Sequence, residues 1–118
     1  MIFISTYWSE TMLVGDHTLA EIHQIDASIF QKLAVDAESC IDMPNLARIL
    51  GVKFNPSHIQ LRPGDSLLKV AIKGGKLSPH DNELPEHVYL EYYCYTIYSP
   101  NTHVIEEKIE NNESLMEE

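Results

Sequence analysis

The sequence predicts a single α/β domain, with a mixed sheet of about five strands and two helices packed on one face. Three observations predict it. At 118 residues the chain has room for one hydrophobic core of modest size. Its 44% apolar and 22% charged residues are ordinary for a globular protein. Its hydrophobic pattern alternates between period-two runs and two short stretches of helical period, in the order β-β-α-α-β-β-β.

Taken in chain order, residues 2–6 are apolar or β-branched and suit a buried first strand, followed by a loop over 7–17 containing Gly15 and Asp16. Residues 18–25 suit a second strand, although Leu19, Ile22 and Ile25 lie three apart and suit a helix equally well. Asp26 is placed to N-cap a helix running to about Val35, with Ile29, Phe30, Leu33 and Ala34 as its apolar stripe. Asp42 is expected to cap a second helix that has Pro44 in its first turn, where the missing N–H costs nothing. Leu46, Ile49 and Leu50 would face inward, and Gly51 would stop the helix.

Residues 58–61 read as a short strand, Arg62-Pro63-Gly64-Asp65 as a turn and residues 66–72 as the next strand. Gly74-Gly75 breaks that strand, and residues 76–87 form an irregular loop. The last strand spans Val88 to Tyr98. It places Val88, Leu90, Tyr92, Cys94 and Thr96 on one face, and Tyr89, Glu91, Tyr93, Tyr95 and Ile97 on the other. Tyrosines on both faces imply that the second face is covered as well, which a partner subunit could do.

The formal charge of −10 is uneven, because residues 106–118 hold six Glu against one Lys. Residues 1–105 are therefore read as the domain and 106–118 as a disordered acidic tail. The acidity argues against long nucleic acid, since a run of phosphates would go unneutralised, but it does not exclude a compact ligand with few phosphates. No apolar run approaches the ~20 residues that span a bilayer. Met1-Ile2-Phe3-Ile4-Ser5 lacks the basic and apolar regions of a signal peptide, so a cytoplasmic location is expected. Cys40 and Cys94 stand far apart without metal-ligand spacing, and two buried thiols are expected.

Three groups of residues have chemistry to offer. Thr6-Tyr7-Trp8-Ser9 ends the first strand, where hydroxyls can bond a phosphate or ribose oxygen and an indole can stack on a base. A turn in which Trp8 merely covers the edge of the core would look the same. Six histidines (His17, His23, His58, His80, His87 and His103) show no metal-ligand spacing, so no metal or cofactor is expected. His80 and His87 share a loop with Asp81, Glu83 and Glu86, an acid/base grouping or simply solvated charges. Lys73-Gly74-Gly75-Lys76 would let a backbone approach an anion, or would simply end a strand, and it matches no phosphate-binding motif.

Two stretches resemble a known family. Phe3 through Leu13, with Thr6, Trp8, Ser9, Met12 and Leu13 at the key positions, is similar to the opening motif of the viral ring nucleases, also called type III anti-CRISPR proteins. Ile49-Leu50-Gly51-Val52, Ile59-Gln60, Gly64-Asp65 and Leu67-Leu68 resemble that family's central stretch at similar spacing. The resemblance covers most of residues 3–77. It implies a homodimer that binds cyclic tetra-adenylate across its interface and cleaves it without metal, with Ser9 as a ligand contact and Thr6 lining the same pocket.

The resemblance fails at the catalytic positions. Where the family carries its catalytic His this chain has Ile41-Asp42-Met43, and where it carries its catalytic Glu the chain has Lys76-Leu77-Ser78-Pro79. The family's Arg at the start of the third strand corresponds to His58. The reading is therefore a viral or mobile-element protein that sequesters a cyclic oligonucleotide immune signal, through Thr6, Trp8, Ser9, His58, Lys73 and Lys76. Two other readings stand beside it: a ring nuclease with catalysis moved to His58 or to the loop containing His80, and a ligand-free inhibitor of a host defence protein.

Overall fold

The computed structural model describes residues 1–100. Five strands, β1 (Ile2–Ser5), β2 (Leu19–Ile25), β3 (Glu38–Ser39), β4 (Ser66–Lys73) and β5 (Tyr89–Tyr98), form one sheet in the order β2-β5-β4-β1-β3. β1 runs parallel to both β3 and β4, whereas β5 is antiparallel to both β4 and β2. The sheet is thus mixed, and β1 lies between the two strands that α2 connects.

α1 (Ala27–Ala34) and α2 (Pro44–Leu50) pack on one face. Phe30 of α1 and Leu46 and Ala47 of α2 join Ile4, Leu68 and Val70 of the sheet in one buried cluster. The strand side chains there follow the alternation expected of them, with Leu90, Tyr92 and Cys94 of β5 packed against the same cluster.

The opposite face has a core of its own. A 3₁₀ turn at Glu10–Met12 and the extended segment 59–61 cover Leu67, Tyr95 and Ile97, burying Met12, Cys40, Ile59 and Leu61 with them. Leu67 and Leu68 are adjacent in β4 and both 0% exposed, one in each core. Burying a leucine contributes roughly 1.5–3 kcal/mol, so the loop-covered core is no minor supplement to the helical one.

This second core does not reach the whole face. Tyr95 is 5% exposed, Tyr93 is half-buried and Tyr89 is 54% exposed. The chain's own loops therefore cover this face of the last strand only as far as about Tyr93.

Several expectations are corrected. Residues 58–61 are extended, and Ile59 and Leu61 are buried in alternation. The segment pairs only at Leu61, which bridges to Leu13, because β4 already has β1 and β5 as neighbours. The fifth strand is instead β3, two residues long, tied to β1 by the Cys40 N–H donating to the Ile4 carbonyl at 2.8 Å.

Asp26 caps α1 as expected, its carboxylate accepting from the Ile29 N–H at 2.9 Å. Asp42 does not cap α2. The N-cap is Met43, which makes no side-chain cap bond, and Pro44 removes one of the orphan donors. The α1 stripe is narrower than expected, since Ile29 is 43% exposed. Gly51 ends α2 at φ 73°, in the left-handed region that glycine enters without strain. Both cysteines are free thiols packed against opposite cores, but of the two buried thiols expected only Cys40 is buried and Cys94 is half-buried. The acidic tail, 106–118, and the expected boundary at residue 105 lie outside the described residues.

A candidate ligand cleft at the strand ends

The carboxyl ends of β1 and β3 open into a cleft of about 640 Å³. Its first wall is the chain leaving β1. Ser5 is buried, and its Oγ accepts from the Tyr7 N–H at 3.0 Å, turning the backbone so that Thr6 and Tyr7 border the opening. Tyr7 is 61% exposed. The second wall is the continuation of β3, with Cys40 and the exposed Asp42.

The third wall, residues 56–60, has no ladder of its own and is held by cross-bonds. The Asn55 N–H donates to the Ile41 carbonyl at 2.9 Å and its side-chain amide to the Ser39 carbonyl at 2.8 Å. The Ser57 hydroxyl donates weakly to the Cys40 sulfur at 3.5 Å, and the Leu61 N–H reaches the Met12 carbonyl at 2.7 Å. In open α/β sheets, ligands settle outside the carboxyl ends of parallel strands, and this volume is typical of a small-molecule site.

The lining is rich in hydrogen-bonding groups and poor in charge. Ser5, Thr6, Tyr7, Thr11 and Ser57 bring hydroxyls, Gln60 an amide and His58 an exposed imidazole. Asp42 is the sole carboxylate among the lining residues, and no lysine or arginine is among them. Arg62 stands just behind, its guanidinium donating to the Gln60 amide oxygen at 3.4 Å. Such a lining suits ribose hydroxyls and base edges better than a bare cluster of phosphates.

Of the six residues singled out from the sequence, the fold brings Thr6 and His58 into this cleft. Ser9 sits beside it but spends its hydroxyl on the 3₁₀ turn, bonding Thr11 Oγ1 at 2.9 Å and accepting from the Thr11 N–H at 3.3 Å. Trp8 turns the other way. Its ring lies 4.7 Å from that of Tyr95 at 46°, and it borders a separate hollow of about 440 Å³ with Leu13, His17, Leu19 and Ile22.

Lys73 ends β4, opposite Tyr89, and Lys76 is exposed in the loop beyond. Neither lines the cleft. The room that Gly74 leaves by lacking a side chain is taken by the His87 carbonyl, so this glycine serves a chain contact and not the approach of an anion. Sequence reading passed over Thr11 and Ser57, whose only signal is a hydroxyl next to, or two residues from, a buried apolar residue.

Burial and hydrogen bonding shift several groups on β5. The Tyr93 phenol is raised, first because its OH donates to the Glu91 carboxylate, whose charge opposes a second anion. Desolvation raises the phenols of Tyr92 and Tyr95 and the thiol of Cys94, which keeps that thiol protonated and unreactive. Among the described residues, no three metal-ligating side chains converge, and no helix is long and apolar enough to cross a membrane.

No family model matches the chain, and no curated protein matches it. Among solved structures it is similar to the B116 protein of Sulfolobus turreted icosahedral virus. The TM-score is 0.62 at 16% identity, over 80% of this chain and 97% of that one. At that identity the likeness is one of fold: this mixed five-stranded sheet with two helices is an architecture also found in a small protein of an archaeal virus.

Proposed function

We propose that this chain binds and sequesters a cyclic oligonucleotide immune signal, acting as a viral or mobile-element counter-defence protein in the host cytoplasm. The observation that carries the reading is the cleft at the ends of β1 and β3, with Thr6 and His58 both among its lining residues. The fold shared with a viral protein supports the viral setting. The similarity to ring nucleases in the Thr6–Leu13 motif supports the ligand class, and a homodimer across the cleft follows from the same similarity. A paired site would also offset the shortage of cations in one cleft, since a second subunit would bring a second Arg62 close behind the ligand.

Retention without cleavage is supported by Asp42. In the resembling family a histidine occupies this region. A carboxylate there can neither protonate a leaving oxygen as imidazolium does nor attract a phosphate. The exposure of His58 on the cleft wall favours a second reading, slow cleavage with His58 as the acid.

A depletion-and-release assay tests both. Pure protein is incubated with a panel of cyclic nucleotides, the free ligand is quantified, and the protein is then heat-denatured. Intact ligand recovered on heating is the expected result. Linear fragments that disappear in His58→Ala would replace sequestration with cleavage. Depletion of no ligand would remove the cleft reading and leave inhibition of a host protein as the better account. A chain that stays monomeric at micromolar concentration, with and without ligand, would sink the homodimer.

A further inference from the structure

The half of the β5 face that the loops leave bare has an ordered composition. Register places Tyr93 directly opposite Lys69 and Tyr89 directly opposite Lys73, so each ring has an ammonium as its cross-strand neighbour. Ala71 and Glu91 lie between the two pairs, and Gln24 of β2 faces Tyr93 from the other side. Tyr89 is 54% exposed, Lys73 and Gln24 are exposed, and Lys69 and Tyr93 are half-buried.

Among the described strand residues, Glu91 is the only acid on this half of the face. It accepts hydrogen bonds from the Tyr93 OH and from the Gln24 amide at 3.2 Å, which disperses its charge and fixes the Tyr93 ring. Two lysines against one occupied carboxylate make this patch locally cationic on a chain of net charge −10. Lys69 is also the register partner of Ser5, which lines the cleft, so the patch begins on the strand next to the cleft wall.

Flat rings interleaved with cations on an open sheet surface are how single-stranded nucleic acid is held: bases stack on the rings while phosphates meet the ammonium groups. We propose that this bare half-face is a nucleobase-stacking platform, where Tyr89 and Tyr93 each take one base of the ligand and Lys69 and Lys73 its phosphates. The inference rests on the reading that the ligand is an oligonucleotide, and it extends the site from the cleft onto the sheet. Four residues of strand separate the two ring–lysine pairs, about 13 Å. Bases stacked on one another lie about 3.4 Å apart. The platform therefore takes bases splayed away from each other, as a small ring or a short unstacked strand presents them. The small Ala71 between the pairs leaves room for the sugar–phosphate path.

The test measures Kd for cyclic and for linear tetra-adenylate, using the full chain and its Tyr89→Leu, Tyr93→Leu, Tyr89→Phe, Lys69→Gln and Lys73→Gln variants. Circular dichroism and thermal melting check that each variant is folded. Each leucine is expected to weaken binding roughly tenfold, while Tyr89→Phe, which keeps the ring, stays within about twofold. Each glutamine is expected to reduce the slope of log Kd against log salt by about 0.7. Wild-type protein that binds either probe while both leucine variants bind it equally well would overturn the platform and leave the cleft reading standing. A loss in Tyr89→Phe as large as in Tyr89→Leu would assign the effect to the hydroxyl and overturn stacking. Wild-type protein that binds neither probe would overturn the platform together with the oligonucleotide reading.

Discussion

The carbonyl oxygen of His87 occupies the space that a Cβ would need at Gly74, and both residues hold a positive φ, 72° for His87 and 80° for Gly74. This contact closes the base of the β4–β5 hairpin and sets where Lys73 and Tyr89 end up. Gly74→Ala must displace a backbone carbonyl and also accept a left-handed conformation, so it is expected to cost about 2–4 kcal/mol. His87→Gly removes strain from a non-glycine residue and should be neutral or stabilising by up to about 1 kcal/mol. Urea denaturation of the two variants checks both signs.

A second clamp holds the loop that follows. Asn45 in α2 is 5% exposed, and its amide donates to the Ser78 carbonyl at 2.8 Å and to the Asp81 carbonyl at 2.9 Å. Its own Oδ1 has no hydrogen-bond partner among the described residues. Asn45→Ala removes the donor from the Asp81 carbonyl and leaves the Ser78 carbonyl with the Asp81 N–H alone, and should destabilise the chain by about 1–3 kcal/mol. Hydrogen exchange should quicken at the Asp81 N–H, which bonds Ser78 across the same turn, more than at β4 or β5.

The Asp26 cap predicts an acid limb of stability. Hydrogen bonds from the Ser28 hydroxyl and from the Ile29 N–H hold its carboxyl below the ordinary range. The unfolded chain therefore takes up this proton at a higher pH than the folded one. The cap's contribution is fully present above about pH 4 and is lost as pH falls through the lower, folded value. Asp26→Asn keeps an N-cap acceptor but has nothing to titrate there. The variant should stay folded at neutral pH and show a shallower loss of melting temperature between about pH 4.5 and pH 2.5.

Charge in the cleft should be felt by any anionic ligand. Asp42→Asn removes the only carboxylate among the lining residues without a change of size. It is expected to tighten binding of a cyclic oligonucleotide several-fold at low ionic strength and less in 0.5 M salt, where screening shortens the reach of the charge. Isothermal titration at two salt concentrations measures it. An unchanged or weaker Kd would mean that the carboxylate makes a favourable contact, as it would with a ribose hydroxyl.

Leu67 and Leu68 give a prediction about the two cores. Each is fully buried, and each Leu→Ala variant should cost about 2–5 kcal/mol. Leu68→Ala should loosen the helices, and Leu67→Ala should loosen the 3₁₀ turn and residues 59–61 that wall the cleft. Measured by ligand depletion at a temperature where both variants are folded, only Leu67→Ala is expected to impair binding markedly.

The local features were legible because their causes are local. Alternation along the last strand assigned Leu90, Tyr92 and Cys94 to one core and Tyr93, Tyr95 and Ile97 to the other, as a strand's period of two requires. Asp26 as a cap and Gly51 as a stop follow from the backbone chemistry of helix ends. Strand β3 escaped notice because two residues carry no period, and its pairing with β1 depends on chain more than thirty residues away. Asp42 is not the cap because Pro44 takes the first helical position, which makes Met43 the N-cap.

By itself the sequence determined an α/β chain with two helices, a last strand bearing a distinct set of residues on each face, and an acidic balance unsuited to a long polyanion. The tertiary structure alone decided which of those residues meet. It brought Thr6 and His58 into one cleft, turned Trp8 onto Tyr95, and set Lys69 and Lys73 beside tyrosines on a bare sheet face. The reason is that strand order and register are products of non-local burial: β1 lies between β3 and β4 because that order buries Ile4, Leu67 and Leu68 completely, and no run of neighbouring residues encodes it.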